Sequence, residues 1–226
     1  MSPRRYTLIV TAAGSGQRYG RSENKIFERI AGLPTVIHAI NNAMAADTHD
    51  VIVTCSSRDL DALTTLLNDH SIQARIVLGG STRLESVQAA LRIVSPESDG
   101  VLIHDAARPN PTPQLIHRLV DAGVTHSAVI PAISVTDTIK EVKDHWVQRT
   151  VPRQSLMAVQ TPQLYSRDLL PILLQIPPTA EITDEAMALE LQGIPIWIVA
   201  GSPHNIKLTH PTDKLILEVL MAPASE

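Results

Sequence analysis

Short apolar runs rich in β-forming residues alternate with helical periodicity through the first half of the chain. The runs lie at 7–10, 50–54, 75–78, 101–104 and 128–130. Apolar runs of this length are typical of parallel strands whose two faces are both covered. Helices are predicted between them at 34–45, 60–67, 83–93 and 114–120. This alternation predicts a layered α/β fold.

Prolines and a threonine mark two of the predicted helix starts. Pro34 opens the segment 34–45, which suits the first turn of a helix. Thr112 followed by Pro113 has the pattern of an N-cap with proline at the first helical position. Both signals strengthen the predicted alternation of strands and helices.

The pattern changes near residue 138. Segments 138–142 and 146–151 each alternate apolar and polar residues around a polar turn, which predicts a β-hairpin. A projecting hairpin exposing Trp146 and Val147 would need a partner surface, whereas a hairpin folded onto its own domain would not. The pattern leaves both alternatives open. The remaining predicted elements are helices at 167–175 and 184–192, a strand at 194–199 and a last helix from about Pro211.

Composition narrows the class of protein. The 226 residues are 44 % hydrophobic, which suits one α/β domain spanning 1–226. A net charge of −4 argues against general nucleic-acid binding. Cys55, the only cysteine, excludes an internal disulfide and is expected to be a buried strand thiol. Without a membrane-length apolar run or a signal peptide, we expect a cytoplasmic protein with no membrane partner.

The first candidate site is the glycine-rich loop 11–20 after the first strand, with Arg18 inside it and Lys25 shortly after. Small residues let successive N–H groups face an anion, and the carboxyl edge of an α/β sheet is where ligands bind. The two cations match a triphosphate. The glycine spacing fits neither a P-loop nor a dinucleotide fingerprint. By itself, the loop is equally compatible with an ordinary glycine-rich turn.

Further candidates follow other predicted strands. Gly79 to Arg83, with Ser86, has the pattern of a capped strand-to-helix turn, or alternatively of a wall against a base or ribose. Asp105 and Arg108 follow the run 101–104 and are candidates for Mg²⁺ and phosphate contacts, or for an ion pair that fixes a turn.

His104, in the run 101–104, is expected to be a packed or hydrogen-bonded strand residue rather than a catalyst. Three further polar segments lie later in the chain. Lys207, close to Asn205 and Thr209, is a candidate anion contact, although a lone lysine is usually solvated. Residues 160–163 are uncharged and turn-like, and 183–185 indicate an N-cap with acidic first-turn residues.

Taken in order, these segments resemble the 2-C-methyl-D-erythritol 4-phosphate cytidylyltransferases of the non-mevalonate isoprenoid pathway, from about Leu8 to the last helix. The resemblance rests on Ala12-Ala13-Gly14 with Arg18 and Lys25, and on the segments 104–109, 160–163, 183–186 and 205–209. The chain departs from the family at Thr11 and Asn24, where proline is usual, at Ile26, where glutamine is usual, and at Ser81, which is usually acidic or similarly polar.

The resemblance implies a doubly wound, mostly parallel sheet of Rossmann-like type with a β-arm at about 133–157 that builds a homodimer. It implies CTP, Mg²⁺ and transfer of CMP to methylerythritol phosphate with release of pyrophosphate. The implied catalytic residues are Arg18, Lys25 and Lys207. The implied nucleotide contacts are Ala12, Ala13, Gly14, Gly16, Gly80, Ser81, Arg83, Ser86 and Asp105, with Asp105 also near the metal. The implied substrate contacts are Ala106, Arg108, Thr138, Arg153 and Thr161, with Thr138 and Arg153 supplied by the partner's arm.

Two alternative functions remain open from the sequence. A ribitol 5-phosphate cytidylyltransferase shares most of the loop, although segments 104–108 and 205–207 fit the methylerythritol enzymes better. A catalytically inactive nucleotide-binding regulator is a remoter alternative.

Overall fold

The computed structural model of the protein describes residues 4–14, 24–44, 48–179 and 181–222. Its strands are β1 (Tyr6–Thr11), β2 (Arg29–Ile30), β3 (Leu33–Pro34), β4 (Thr48–Cys55), β5 (Arg75–Leu78), β6 (Gly100–Asp105), β7 (Ala128–Ser134), β8 (Ile139–Lys143), β9 (Trp146–Val151), β10 (Met157–Val159), β11 (Gln163–Ser166) and β12 (Trp197–Ala200). Its α-helices are α1 (Thr35–Ala43), α2 (Leu60–Asp69), α3 (Arg83–Leu91), α4 (Pro113–Gly123), α5 (Leu170–Gln175), α6 (Glu185–Glu190) and α7 (Pro211–Leu220). Short 3₁₀ helices cover Lys25–Phe27, Ser57–Asp59 and Arg167–Leu169.

An eight-stranded, mostly parallel sheet forms the centre of the molecule. Seven strands follow the order β10-β7-β11-β6-β1-β4-β5, and β12 pairs in parallel with β7. The chain moves from β1 outward to β4 and β5, then returns to place β6 on the other side of β1. This reversal beside β1 is the position at which doubly wound sheets bind ligands. The predicted α/β class is confirmed.

Both faces of the sheet are covered by apolar layers, as the uninterrupted apolar runs predict. Along β1, Leu8 and Val10 pack into one layer with helix α1, whereas Ile9 packs into the opposite layer with helices α3 and α5. This alternation follows from the two-residue period of a strand. Cys55 is buried and free at the end of β4, as expected.

The predicted helix starts are partly confirmed. Thr112 caps α4 by accepting a hydrogen bond from the Leu115 N–H, and Pro113 is the first helical residue. The prediction that Pro34 lies inside a helix is wrong, because Pro34 has an extended ψ of 142°, ends β3 and precedes α1. Residue 45, the predicted end of that helix, lies outside the described residues.

The second half of the sheet differs most from the prediction. The segment 160–163, expected to be a turn, contains a cis Thr161–Pro162 bond and leads directly into the antiparallel strand β11. The last strand begins at Trp197 instead of residue 194. Pro195 lacks the N–H that a paired strand must donate, which accounts for the later start.

The predicted hairpin forms a separate two-stranded sheet from β8 and β9. Its side chains are largely exposed, including Val142 and Trp146, the latter at 76 %. This exposure favours the projecting alternative over a hairpin folded onto its own domain. Within the described ranges, no helix has the length and apolarity required to cross a membrane.

Candidate active site

A cleft of about 520 Å³ lies at the carboxyl ends of β1 and β6, where the strand order reverses. The register of these parallel strands pairs Thr11 with Asp105 at their ends, and this places both residues at the floor of the cleft. A more open cleft of about 710 Å³ elsewhere contains Arg4 and Arg167, but backbone carbonyl oxygens already accept hydrogen bonds from both guanidinium groups. The 520 Å³ cleft is therefore the better candidate site.

Asp105 is the charged centre of this cleft. Its carboxylate lies 2.7 Å from Lys207 Nζ, 3.4 Å from Arg83 Nη2 and 3.8 Å from Arg108 Nε. Burial alone would raise the pKa of Asp105, but these cations outweigh burial and hold the pKa well below its ordinary range. Asp105 is therefore a fixed negative charge surrounded by cations.

His104 supports the Asp105 backbone from inside the protein. The Asp105 N–H donates to Thr161 Oγ1 at 3.0 Å, and Thr161 Oγ1 lies 3.0 Å from His104 Nδ1. His104 Nε2 lies 2.9 Å from the Arg108 carbonyl oxygen, which can only accept, so Nε2 carries the proton. Burial lowers the pKa of His104 to about 4. The expectation that His104 is a hydrogen-bonded strand residue is confirmed.

A buried ion pair joins Arg83 to Glu185. The Arg83 guanidinium contacts both carboxylate oxygens of Glu185, which is fully buried, while Nη2 faces Asp105. Burial would lower the pKa of Arg83, but the two carboxylates raise it. Asp184 caps α6 as predicted, by accepting from the Met187 N–H. Glu185, expected to be an ordinary first-turn residue, instead anchors Arg83.

The second glycine turn packs tightly against the first loop. A Cβ on Gly79 would lie 2.5 Å from Ala13 Cβ and 2.6 Å from Ser86 Oγ, so only glycine fits there. Thr82 and Glu85 form a capping box at the start of α3. The Gly80 N–H donates to Ser86 Oγ at 3.1 Å. Both proposed functions of this turn, helix cap and cleft wall, are therefore compatible with its position.

The segment that carries Lys207 is fixed by the uncharged side chains of Gln160 and Asn205 and by the Arg108 guanidinium. Gln160 forms hydrogen bonds with the Ser202 N–H and carbonyl, and Asn205 Nδ2 donates to the Thr161 carbonyl at 2.8 Å. Arg108 donates to the Asn205 carbonyl. The segment that precedes β11 thus holds Lys207 against the end of β6.

The structure brings most of the predicted residues together. The predicted residues that line the cleft are Ala12, Ala13, Gly14, Lys25, Gly80, Ser81, Arg83, Ser86, Asp105 and Lys207. Ala106, Arg108 and Thr161 are not among the lining residues, although Arg108 and Thr161 contact groups that are. Thr138 and Arg153 are exposed and also lie outside the lining. Gly16 and Arg18 lie outside the described residues.

Asp105 is the only acidic side chain among the described residues that line the cleft. No group of three or more His, Cys, Asp or Glu that could hold a metal occurs in the described part of the chain. Mg²⁺ commonly takes one or two carboxylates from a protein and its remaining ligands from water and substrate phosphates. A single carboxylate therefore fits a metal that arrives with a polyphosphate.

A doubly wound sheet with a small-residue loop and converging cations at its carboxyl edge defines an α/β nucleotide-binding protein. The family model described as IspD, 2-C-methyl-D-erythritol 4-phosphate cytidylyltransferase, matches residues 6–222. The chain belongs to this family.

Individual relatives agree with this assignment. The chain is 38 % identical over 224 residues to the 2-C-methyl-D-erythritol 4-phosphate cytidylyltransferase of Halalkalibacterium halodurans, covering 96 % of this chain and 97 % of the relative. It is 36 % identical over 221 residues to that of Frankia casuarinae, covering 96 % and 82 %. The crystal structure of the 4-diphosphocytidyl-2C-methyl-D-erythritol synthase of Anaerococcus prevotii is similar with a TM-score of 0.81 and 25 % identity, covering 98 % of this chain and 100 % of that one.

Proposed function

We propose that the protein transfers CMP from CTP to the phosphate of 2-C-methyl-D-erythritol 4-phosphate, giving 4-diphosphocytidyl-2-C-methyl-D-erythritol and pyrophosphate. Family membership supports the substrates. The observation that carries the chemistry is the convergence of Lys25, Arg83 and Lys207 with Asp105 in one cleft at the switch point of the sheet. Such a cleft can align two anions that repel each other in solution.

The reaction is a direct in-line transfer. A phosphate oxygen of the alcohol phosphate attacks the α-phosphorus of CTP, and the bond to the β-phosphate breaks to release pyrophosphate. A phosphate monoester is already an anionic nucleophile near neutral pH, so no strong general base is required. The neutral, fully hydrogen-bonded state of His104 agrees with this, because neither of its nitrogens is available to take a proton from substrate.

The proposed roles of the cations follow from charge. Lys25, Lys207 and Arg18 neutralise the negative charge that grows on the phosphoryl oxygens, with Arg18 assigned from the family resemblance alone. Removing one preorganised donor of this kind costs about two to three powers of ten in rate. Asp105 together with phosphate oxygens would hold Mg²⁺, which supplies further positive charge at the triphosphate when bound.

The alcohol phosphate is assigned to the neighbourhood of Arg108, which contacts Asp105 in the cleft, on the basis of the family resemblance. In this proposal Ala106, Arg108 and Thr161 come from one subunit, and Thr138 and Arg153 come from the arm of its partner in a homodimer. The arm at about 133–157 belongs to a single cytidylyltransferase domain. The exposure of Thr138, Arg153 and Trp146 supports a role against a second subunit.

Pyrophosphate release from CTP and Mg²⁺ tests the proposal, with methylerythritol 4-phosphate and ribitol 5-phosphate assayed side by side. We expect turnover with methylerythritol 4-phosphate and little with the ribitol compound. Lys25→Ala should reduce kcat/KM by about two to three powers of ten. Arg92→Ala is the matched control, because it also removes one positive charge, at an exposed position outside the cleft lining.

Each contrary result has a distinct meaning. Faster turnover with ribitol 5-phosphate would identify the alternative cytidylyltransferase. Binding of CTP without release of pyrophosphate from it in the presence of either alcohol phosphate would indicate a regulator. Equal activity of the Lys25→Ala and Arg92→Ala proteins would show that Lys25 takes no part in the reaction.

A further inference from the structure

Asn24 joins three segments at the edge of the cleft. It is 2 % exposed and directly precedes Lys25. Its Nδ2 donates to the Gly14 carbonyl at 3.0 Å and to Asp59 Oδ2 at 2.9 Å, and lies 3.4 Å from the Ala12 carbonyl. Its Oδ1 accepts from the Ile26 N–H at 3.4 Å. One side chain thus connects the loop after β1, the 3₁₀ turn that carries Lys25, and the turn after β4.

The partners determine which end of the Asn24 amide is nitrogen. Carbonyl and carboxylate oxygens surround Nδ2 and accept hydrogen bonds, whereas the Ile26 N–H near Oδ1 can only donate. Asp59 is buried and also accepts from Ser56 Oγ at 2.8 Å. Hydrogen bonds to a carboxylate are stronger than neutral ones, so Asp59 is a firm anchor for the amide.

This arrangement bears on anion binding in two ways. A carbonyl oxygen left facing a phosphate would repel it, and Asn24 holds the Gly14 carbonyl in a hydrogen bond away from such a ligand. Asn24 also caps the turn Lys25–Phe27, since the Phe27 N–H donates to its carbonyl at 3.0 Å. The same residue therefore fixes the backbone at Gly14 and the backbone position from which the Lys25 side chain starts.

We propose that Asn24 is a positioning residue that, anchored by Asp59, fixes Lys25 and the segment 12–14 after β1 before CTP binds. The identity of the ligand rests on the proposed function. Without Asn24, the segment 12–14 and Lys25 would be ordered only when CTP binds, and part of the binding free energy would offset that ordering. The defect should therefore appear in CTP affinity more than in the chemical step.

Three variants measure this effect. Asn24→Ala should raise the KM for CTP and the calorimetric Kd for CTP with Mg²⁺ about tenfold, with kcat within about twofold of wild type. Asn24→Asp keeps the size but places a carboxylate against Asp59 and the carbonyl oxygens, so its defect should be larger. Adding Asp59→Asn to Asn24→Asp should recover part of the loss, because the amide at position 59 can donate to the new carboxylate.

Gln88→Ala is the matched structural control. Gln88 is a buried amide that donates at 2.8 Å to the carbonyl oxygens of Leu173 and Ile176, and it does not line the cleft. We expect it to lower the thermal unfolding midpoint about as much as Asn24→Ala while leaving the KM for CTP within about twofold of wild type.

The outcomes separate the two proposals. An active wild-type enzyme whose Asn24→Ala variant binds CTP as tightly, or loses affinity only as much as Gln88→Ala does, would overturn the positioning role. A wild-type protein that neither binds CTP nor releases pyrophosphate would overturn the proposed function and this inference with it.

Discussion

His104 shows how a residue inside a motif of charged side chains acts through its hydrogen bonds. It precedes Asp105, yet its two nitrogens are occupied by Thr161 and the Arg108 carbonyl. Because Nε2 already carries a proton, protonation would add one at Nδ1, and Thr161 Oγ1 could then no longer donate to that nitrogen. The neutral form of His104 is therefore part of the architecture that places Asp105.

This predicts an acid sensitivity specific to His104. Burial lowers its pKa from 6.5 to about 4 in the folded protein, so the unfolded chain binds more protons between these two values. Stability attributable to His104 is thus complete above pH 6.5, falls as the pH drops, and levels off below about pH 4. The wild-type free energy of unfolding should fall by about 3 kcal/mol more than that of His104→Gln across this window.

Urea titrations of both proteins at several pH values measure this difference. The comparison with His104→Gln removes the contribution of other titrating groups, which are common to both proteins. Parallel pH profiles for the two proteins would show that His104 is not held neutral in the folded state.

The sequence predicts the charged residues that line the site better than the residues that hold them in place. Asp105 and Lys207 stand next to strand ends in recognisable motifs, and the structure places them 2.7 Å apart. Glu185 was missed because an acidic residue after Asp184 fits helix capping equally well, and its partner Arg83 lies 102 residues away. Asn24 was noted as a departure from the family, but its contact with Asp59 depends on tertiary structure.

At the scale of elements, the apolar runs correctly predicted the parallel strands β1, β4, β5, β6 and β7. Strands β1, β4, β6 and β7 are paired on both sides, whereas β5 is a partly buried edge strand paired with β4 alone. Even at this edge the short apolar run is a clear signal. The antiparallel strand β11 has only four residues, and three of them (Gln163, Tyr165 and Ser166) carry polar groups, which leaves no such pattern. Gln163 and Tyr165 can be polar there because they hydrogen-bond to each other inside the protein.

The Arg83–Glu185 pair links the first turns of helices α3 and α6, so breaking it should destabilise their packing. Glu185→Gln leaves Arg83 with Asp105 alone, and a broken buried pair typically costs 3–5 kcal/mol. Because 22 % of the Arg83 side chain reaches solvent, we expect a loss of about 3 kcal/mol in the free energy of unfolding.

Glu190→Gln provides the control for this change. It makes the same substitution in the same helix at an exposed position, where the expected effect is below about 0.5 kcal/mol. Urea unfolding of both variants at neutral pH gives the comparison. Equal stability of the two variants would show that the Arg83–Glu185 contact does not hold the helices together.

At the scale of the whole molecule, a chain of net charge −4 concentrates cations in one cleft. Lys25, Arg83 and Lys207 line it, whereas Arg153 on the arm does not. In the proposed homodimer, Arg153 of one chain would reach the cleft of the other. The proposed homodimer therefore makes each active site depend on both chains, and a mixed dimer can test that dependence.

Arg153→Ala and Lys207→Ala should each be nearly inactive as homodimers. A heterodimer of the two, purified through different affinity tags, combines an intact cleft in the Arg153→Ala subunit with an intact arm from the Lys207→Ala subunit. Since a two-fold dimer has two equivalent sites, one restored site should give about half of the wild-type turnover per dimer.

A heterodimer of Lys25→Ala with Lys207→Ala is the control, because both changes lie in the cleft and leave no subunit with an intact set of cations. This heterodimer should be inactive even though both of its arms carry Arg153. If the Arg153→Ala and Lys207→Ala heterodimer is equally inactive, Arg153 acts within its own subunit or not at all. Recovery in the first heterodimer and none in the second would require the arm of one chain to complete the cleft of the other.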